Sequence, residues 1–363
     1  MKIGIDYRLA NSSYRGMARY CHEIVKELLN LDKNNEYVLI IDSEPKEKLA
    51  PKNNCRYIKV RTTNFIIGEQ FSISSILFKE KFDVFWSPYN TFPIFKPCKT
   101  KLLVTVHDLI FFYPIEKGIS SYQRIGALYR RYVLKYFYKK VDSFFTVSLF
   151  SKTELLRLLP IRKPIDVTYN CIDKFAEKVD FVRKNSILEN GNYFFTLSGD
   201  GPNKNLNVLL NLFENDFSSE KLIVGGLGKD SKYRKRESTN IHFLPYGLSD
   251  EELIKTYLNC RCFLFFSKYE GFGIPIIEAA ICGKPILASN TTSIPEILGD
   301  FGRMSSPLPT EIRKLIDNYI IDPIKTPINY TPLIKRFNSW SVPAGIILKR
   351  INEFACIKIP SNN

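Results

Sequence analysis

Glu270 and Glu278 bracket the segment Glu270-Gly271-Phe272-Gly273-Ile274-Pro275-Ile276-Ile277-Glu278-Ala279, which follows the short apolar run Cys262-Phe263-Leu264-Phe265-Phe266. That run reads as a buried strand, so it delivers Glu270 into a loop. Gly271 and Gly273 permit close approach of the backbone to a ligand, and Pro275 suits the first turn of a helix, where an amide proton would lack a partner. Gly271, Phe272, Gly273 and Ile274 thus form a loop-to-helix junction against which a ligand is expected to lie. A loop carboxylate and a helix carboxylate with seven residues between them can face one ligand, while the free amides at the helix start suit an anionic group. The arrangement fits a grip on a sugar nucleotide. It fits equally an ordinary strand-turn-helix carrying two solvated glutamates.

Three further residues qualify by position. His107 follows a strand-like run, and a histidine at the carboxyl end of a parallel strand points into the crevice where doubly wound sheets take ligands. Lys204 falls at the start of a helix marked by Leu206, Leu209, Leu210 and Phe213, for which Asn203 can serve as the cap. A lysine there opposes the helix dipole unless an anion is bound. Gly16 closes the turn-forming loop Asn11-Ser12-Ser13-Tyr14-Arg15-Gly16, between the first strand and a helix whose Met17, Tyr20, Cys21, Ile24 and Leu28 recur at helical spacing. Each has a plain structural alternative: a packed histidine, a solvated lysine, a loop glycine.

The elements that would position these residues follow one grammar of strand, glycine-containing loop and helix. In the first half, strands are expected at 2–6, 37–41, 57–60, 84–86, 102–106 and 143–147, with a helix after Glu69 and a long basic helix over 123–140. Ser148 opens a further helix, and the proline-bearing stretch 160–173 is the best linker, placing a boundary near 172. The grammar then restarts with a strand at 193–197, a loop ending in Lys204, and a strand at 221–224 that runs into Gly225-Gly226-Leu227-Gly228. Ser249 with Glu252 three residues on is a capping box. No G-x-G-x-x-G follows the first strand, which counts against a dinucleotide-dependent oxidoreductase.

With 363 residues, 45% apolar and 25% charged, the chain can form two soluble domains. No apolar run reaches the ~18 residues of a spanning helix, and no signal-peptide pattern precedes the first strand, so a cytoplasmic location is expected. The eight cysteines lack a second close pair to complete a zinc site and read as reduced, buried thiols. Residues 1–175 hold 29 of the 52 Lys and Arg but only 17 of the 37 Asp and Glu. That basic half could attract nucleic acid, an anionic membrane or phosphorylated substrates, and no nucleic-acid motif accompanies the charge.

Glu270 to Ala279, with Cys282-Gly283-Lys284-Pro285-Ile286 and Ser293-Ile294-Pro295-Glu296, resembles the E-x7-E region of the retaining glycosyltransferases of GT-B fold, the group 1 glycosyltransferases and their bacterial mannosyltransferase-like members. The resemblance implies that Glu270 lies beside the donor sugar and that Glu278 binds the ribose. Val106-His107-Asp108-Leu109 with Tyr113-Pro114 is similar to the family's HDL segment, implying that His107 contacts the donor sugar. Gly16 resembles the loop glycine near the donor phosphates and the acceptor. Asn203-Lys204-Asn205-Leu206 resembles RKNL, whose lysine neutralises the diphosphate; Asn203 replaces the usual arginine, so one positive charge must come from elsewhere or the donor is held more weakly. Ser148 to Lys152 is similar to VS-x-FS, Val167 to Asp173 to the hinge VVYNGVD with Cys171 in place of glycine, and Phe337 to Ser341 to the closing FSW segment.

The fold implied is α/β: two Rossmann-like doubly wound domains facing across a cleft. Residues 1–172 would form the acceptor side, with a helix over 344–357 packing back on it, and 173–343 the nucleotide-sugar side. The implied reaction moves a hexose, from GDP-mannose or a related donor, to a glycan or a polyprenyl-diphosphate-linked acceptor in bacterial surface polysaccharide assembly, with retention. No cofactor is expected, and the absence of a D-x-D pair gives no reason to expect a metal. A sugar-nucleotide epimerase shares the two-domain plan, since fold does not fix chemistry, and a basic nucleic-acid-binding protein is the alternative from another class. Within 123–140, Arg124, Arg131, Lys135 and Lys139 fall on one stripe, while Ile125, Tyr129, Tyr132, Val133 and Tyr136 should pack on the sheet. The basic stripe is expected either to be solvated or to meet an anionic membrane at the inner face of the plasma membrane.

Overall fold

The computed structural model describes residues 1–11, 16–45, 49–62, 64–114, 120–186, 191–324 and 326–356. The chain divides into two compact units. The described part of 1–171 together with that from Ser339 onward forms the first, and Ile172–Asn338 the second.

The first unit is built on a seven-stranded sheet of β1 (Lys2–Asp6), β2 (Glu36–Ile41), β3 (Cys55–Lys59), β4 (Val84–Ser87), β5 (Lys101–Val106), β6 (Ser143–Thr146) and β7 (Ile165–Val167), in spatial order β3-β2-β1-β4-β5-β6-β7. Every pairing is parallel. β4, β5 and β6 are buried nearly throughout, as strands of a parallel sheet covered on both faces must be. The second unit repeats the plan with β8 (Tyr193–Leu197), β9 (Lys221–Gly225), β10 (Ile241–Phe243), β11 (Cys262–Phe265), β12 (Ile286–Ser289) and β13 (Arg303–Ser305), in order β10-β9-β8-β11-β12-β13, again all parallel. In each sheet the strand order reverses beside the first strand, the place where doubly wound sheets open a crevice at the carboxyl ends.

Most strands lie within two residues of their expected positions. Two helices differ from expectation, each for an identifiable cause. The helix expected after Glu69 begins at Phe65, where Asn64 accepts from the Ile67 amide, and continues to Glu80 through a π-helical stretch at Gly68–Ile73 that contains Glu69. The basic helix runs over Ser121–Phe137, because Ser120 and Gln123 form a capping box, and then tightens into a 3₁₀ turn, Tyr138–Lys140. Its burial meets the expectation only in part. Val133 is buried and Tyr129 half-buried as expected, and Ala127 and Leu134 are buried with them, whereas Ile125, Tyr132 and Tyr136 face outward.

Asn203 is not a helix cap. Pro202–Lys204 is a separate 3₁₀ turn, ended by a left-handed Asn205 with φ 58°, and the helix starts at Leu206. Lys204 therefore lies outside that helix, and opposition to its dipole does not apply. Cys98 is exposed and Cys55 half-buried, while Cys21, Cys171, Cys260, Cys262 and Cys282 are buried, and these seven are free thiols.

Chain order does not follow the units at the tail. The helix Ser341–Cys356 packs on Met17–Leu31, and Trp340, Ala344, Ile347 and Ile351 are buried in the first unit. Arg350 Nη2 adds an ion pair at 2.7 Å to Asp166 of the β7 edge strand.

Candidate active site

In the second unit the loop after β11 is held by hydrogen bonds to several of its backbone groups. Lys268 N donates to Asn203 O at 2.7 Å, and Asn203 Nδ2 returns a bond to Tyr269 O at 3.1 Å. Glu270 N donates to Thr292 Oγ1 at 3.1 Å, and Ser293 Oγ donates to the carbonyls of Glu270 and Phe272 at 3.1 and 3.0 Å. Thr292 holds this position with φ 56°, unusual for a β-branched residue and a local strain that the surrounding bonds must support. The loop is thereby preorganised. Gly273 turns it into the helix Ile274–Ile281 with φ 102°, a conformation that side-chain-bearing residues rarely adopt.

The same stitching brings Lys204 against the loop, where its Nζ lies 2.7 Å from Glu270 Oε1. The Glu270 side chain is 12% exposed and that of Lys204 31%, so the pair is partly screened but open on the lysine side. Glu278, 8% exposed, accepts from Tyr257 Oη at 3.0 Å. Burial pushes the Tyr257 phenol well above its ordinary range, with the Glu278 carboxylate acting in the same direction, so the phenol remains a donor. Tyr257 is set by the helix Asp250–Asn259, whose Ser249 and Glu252 form the expected capping box, and its ring meets Phe195 of β8 edge-on at 4.9 Å. The Phe272 side chain is buried against Phe337, with ring centres 5.4 Å apart, and so acts as packing. Gly271 and Ile274 sit half-buried at the junction.

Nearby, the glycine turn after β9 is braced. Arg234 donates to the carbonyls of Gly228, Leu227 and Leu244 at 2.9, 3.3 and 3.1 Å, and Asp200 accepts from Gly228 N at 3.0 Å.

In the first unit His107 follows β5 and is 6% exposed. Asn90 accepts from its amide at 2.6 Å, and the ring Nε2 lies 2.8 Å from the Pro88 carbonyl. A carbonyl only accepts, so Nε2 carries the proton. Burial lowers the imidazole from 6.5 to about 4, outweighing the opposing effect of Pro88. The ring is therefore neutral at pH 7 and presents Nδ1 as an acceptor, suited to a hydroxyl and unsuited to a phosphate. Tyr20 packs on it edge-on at 4.9 Å, and the Tyr20 amide donates to Gly16 O at 3.1 Å. Gly16 itself is exposed with φ 54°, and a Cβ there would meet nothing within 4 Å. Tyr20 thus connects Gly16 to His107. Residues 12–15 of that loop lie outside the described residues.

Of the residues singled out in the sequence, the structure joins Lys204 directly to Glu270 and links Gly16 with His107, while Glu278 has a separate partner in Tyr257. Tyr257, Thr292, Asn90 and Tyr20 carry no signal of these contacts in the sequence, because each reads there as core or turn. Tyr257 falls at helical spacing with Ile254 and Leu258, which describes a packing face and nothing more.

A family model described as group 1 glycosyl transferases matches residues 178–329, and one described as glycosyltransferase family 4 matches residues 14–174. Between them they account for most of both units. The chain belongs to the group 1 glycosyltransferases of GT-B fold. Within this glycosyltransferase family it is similar to O-antigen chain mannosyltransferase B of Escherichia coli, with 31% identity over 198 residues, 49% of this chain and 51% of that protein. It is also similar to O-antigen chain mannosyltransferase RfbU of Salmonella typhimurium, 28% identical over 204 residues, 54% of each chain. The chain thus spans about half the length of each of these relatives. Among solved structures, a sucrose-phosphate synthase from Thermosynechococcus elongatus superposes with a TM-score of 0.70 over 99% of this chain and 100% of the other. At 13% identity that likeness concerns the fold alone.

Proposed function

We propose that this glycosyltransferase moves a hexose, mannose from GDP-mannose or a related donor, onto a glycan or lipid-linked acceptor in bacterial surface polysaccharide assembly, with retention of configuration. The observation that carries the reading is the Lys204–Glu270 ion pair at the carboxyl edge of the second sheet, beside the start of the helix that bears Glu278. The Ile172–Asn338 unit takes the donor and the first unit the acceptor. The donor diphosphate competes with Glu270 for Lys204. Released from the lysine, the carboxylate accepts hydrogen bonds from sugar hydroxyls, while the cation stabilises the charge that grows on the departing phosphate. The bond from the anomeric carbon to the phosphate oxygen breaks as the acceptor oxygen bonds to that carbon, and the acceptor's proton passes to the departing phosphate. His107 Nδ1 accepts from a sugar hydroxyl, and Glu278 accepts from the ribose.

The relatives named for mannosyl transfer to the O-antigen chain support the choice of sugar and pathway class. The test is turnover of GDP-mannose and other nucleotide sugars with lipid-linked and free glycan acceptors, following nucleoside diphosphate release and the anomeric configuration of the product by NMR. An α-mannoside formed only with acceptor present supports the reading. Isomerisation of the donor without acceptor, or an inverted product, overturns it.

A further inference from the structure

The helix Ser121–Phe137 has two unlike sides. Ala127, Val133 and Leu134 are buried in the first unit, and Gln70 Nε2 donates to Tyr129 Oη at 2.6 Å on that side. On the other side Tyr122, Ile125, Leu128, Tyr132 and Tyr136 each keep more than half of their surface exposed. Arg124, Arg131, Lys135 and Lys139 are exposed alongside them, and the helix contains no acidic residue. The patch is continuous: Tyr132 lies 5.2 Å from Tyr136 and 5.8 Å from Phe137, Lys135 Nζ is 5.5 Å from the Tyr136 ring, and Lys140 Nζ bridges Phe137 and the exposed Phe95 at 5.7 and 5.9 Å.

We propose that this face docks on an anionic lipid bilayer. Five large side chains grouped on one helix face are seldom left to water without a partner. Two features select a bilayer as that partner. The charge is of one sign, complementary to anionic headgroups, and the exposed rings are mostly tyrosines, amphipathic groups that settle at the boundary between headgroup and acyl chain. The helix lies along the surface, for no helix among the described residues is long and apolar enough to cross a membrane. The inference stands apart from the reaction proposed above, because its readouts are binding and not turnover.

The experiment is co-sedimentation of the full chain with vesicles of phosphatidylglycerol and phosphatidylcholine, and with phosphatidylcholine alone, at low and high salt. Binding to the anionic vesicles should weaken roughly tenfold or more in the Tyr132→Ser/Tyr136→Ser variant, in the Arg131→Glu/Lys135→Glu variant, and for the parent at high salt. Tyr136→Trp should show a blue-shifted indole emission on anionic vesicles, with native circular dichroism. Absence of parental binding, or equal sedimentation of all variants, overturns the proposal. So does an unshifted Tyr136→Trp emission, or a self-association that the same substitutions abolish while vesicles are ignored.

Discussion

Lys204 and Glu270 neutralise one another at 2.7 Å, so each substitution exposes the other's charge. Lys204→Ala should lower kcat/KM by roughly 10- to 100-fold, the scale of one charge-assisted hydrogen bond, with Lys204→Arg intermediate because charge is kept and placement is not. Steady-state kinetics in excess EDTA belong to the same measurement. If Lys204 supplies the cation, turnover persists under chelation, and loss restored by Mg²⁺ would refute its role. His107 makes a separate prediction about pH. Its folded value of about 4 lies below the ordinary 6.5, so the unfolded chain binds the proton first, and stability held above pH 6.5 is lost progressively down to about pH 4. Over that window the loss approaches roughly 3 kcal/mol. Glu69 has the opposite sign. It is wholly buried and raised to about 7 by burial, so its contribution is present below 4.5 and lost as pH rises through 7. Urea unfolding at several pH values should show His107→Gln flattening the acid limb and Glu69→Gln the neutral one; unchanged slopes would reject the assignments.

At the level of the element, the loop following β11 shows how the chain beyond a strand end is held in place. β11 is buried and paired on both edges, with β8 and β12, and the bonds from Asn203, Thr292 and Ser293 hold the chain it releases. Gly273 is the one position in that passage where the backbone itself excludes a side chain: φ is 102°, and a Cβ would come within 3.2 Å of Ile276 Cδ1. Gly273→Ala should destabilise the second unit by about 1–3 kcal/mol and weaken nucleotide binding, since the helix bearing Glu278 must re-enter at a different angle. Calorimetric titration with GDP alongside thermal unfolding checks both. Unaltered affinity would show that the helix start does not meet the nucleotide.

The molecule as a whole is two sheets on a chain that returns to the first unit at Ser339. Trp340, Ala344, Ile347 and Ile351 are buried in the first unit, where the helix Ser341–Cys356 packs on Met17–Leu31. Truncation before Ser339 should therefore destabilise the first unit by several kcal/mol, the sum expected for leaving large core side chains' contacts unmade, while the second unit keeps its transition. Differential scanning calorimetry with nucleotide added, which raises the transition of whatever unit binds it, distinguishes the two. A uniform loss across both would show that the units do not melt separately.

The alternating strands and helices, the glycine turns and the placing of Glu270 on a loop and Glu278 on a helix were legible in the chain, because periodicity and turn chemistry act over windows of a few residues. The capping box of Ser249 and Glu252 is local in the same sense. Contacts between distant positions were not legible. Lys204 reaches Glu270 across 66 residues, and Tyr257 reaches Glu278 only because the helices Asp250–Asn259 and Ile274–Ile281 both pack on the helix Asp173–Asn185. His107 could be placed at a strand end, but its neutrality comes from burial beneath Tyr20 and from the Pro88 carbonyl. The helix Ser121–Phe137 is the plainest case. Its periodicity marked two faces, yet which face enters the core depends on what packs beside it, and the fold buries Ala127, Val133 and Leu134 while leaving Tyr132 and Tyr136 to the solvent.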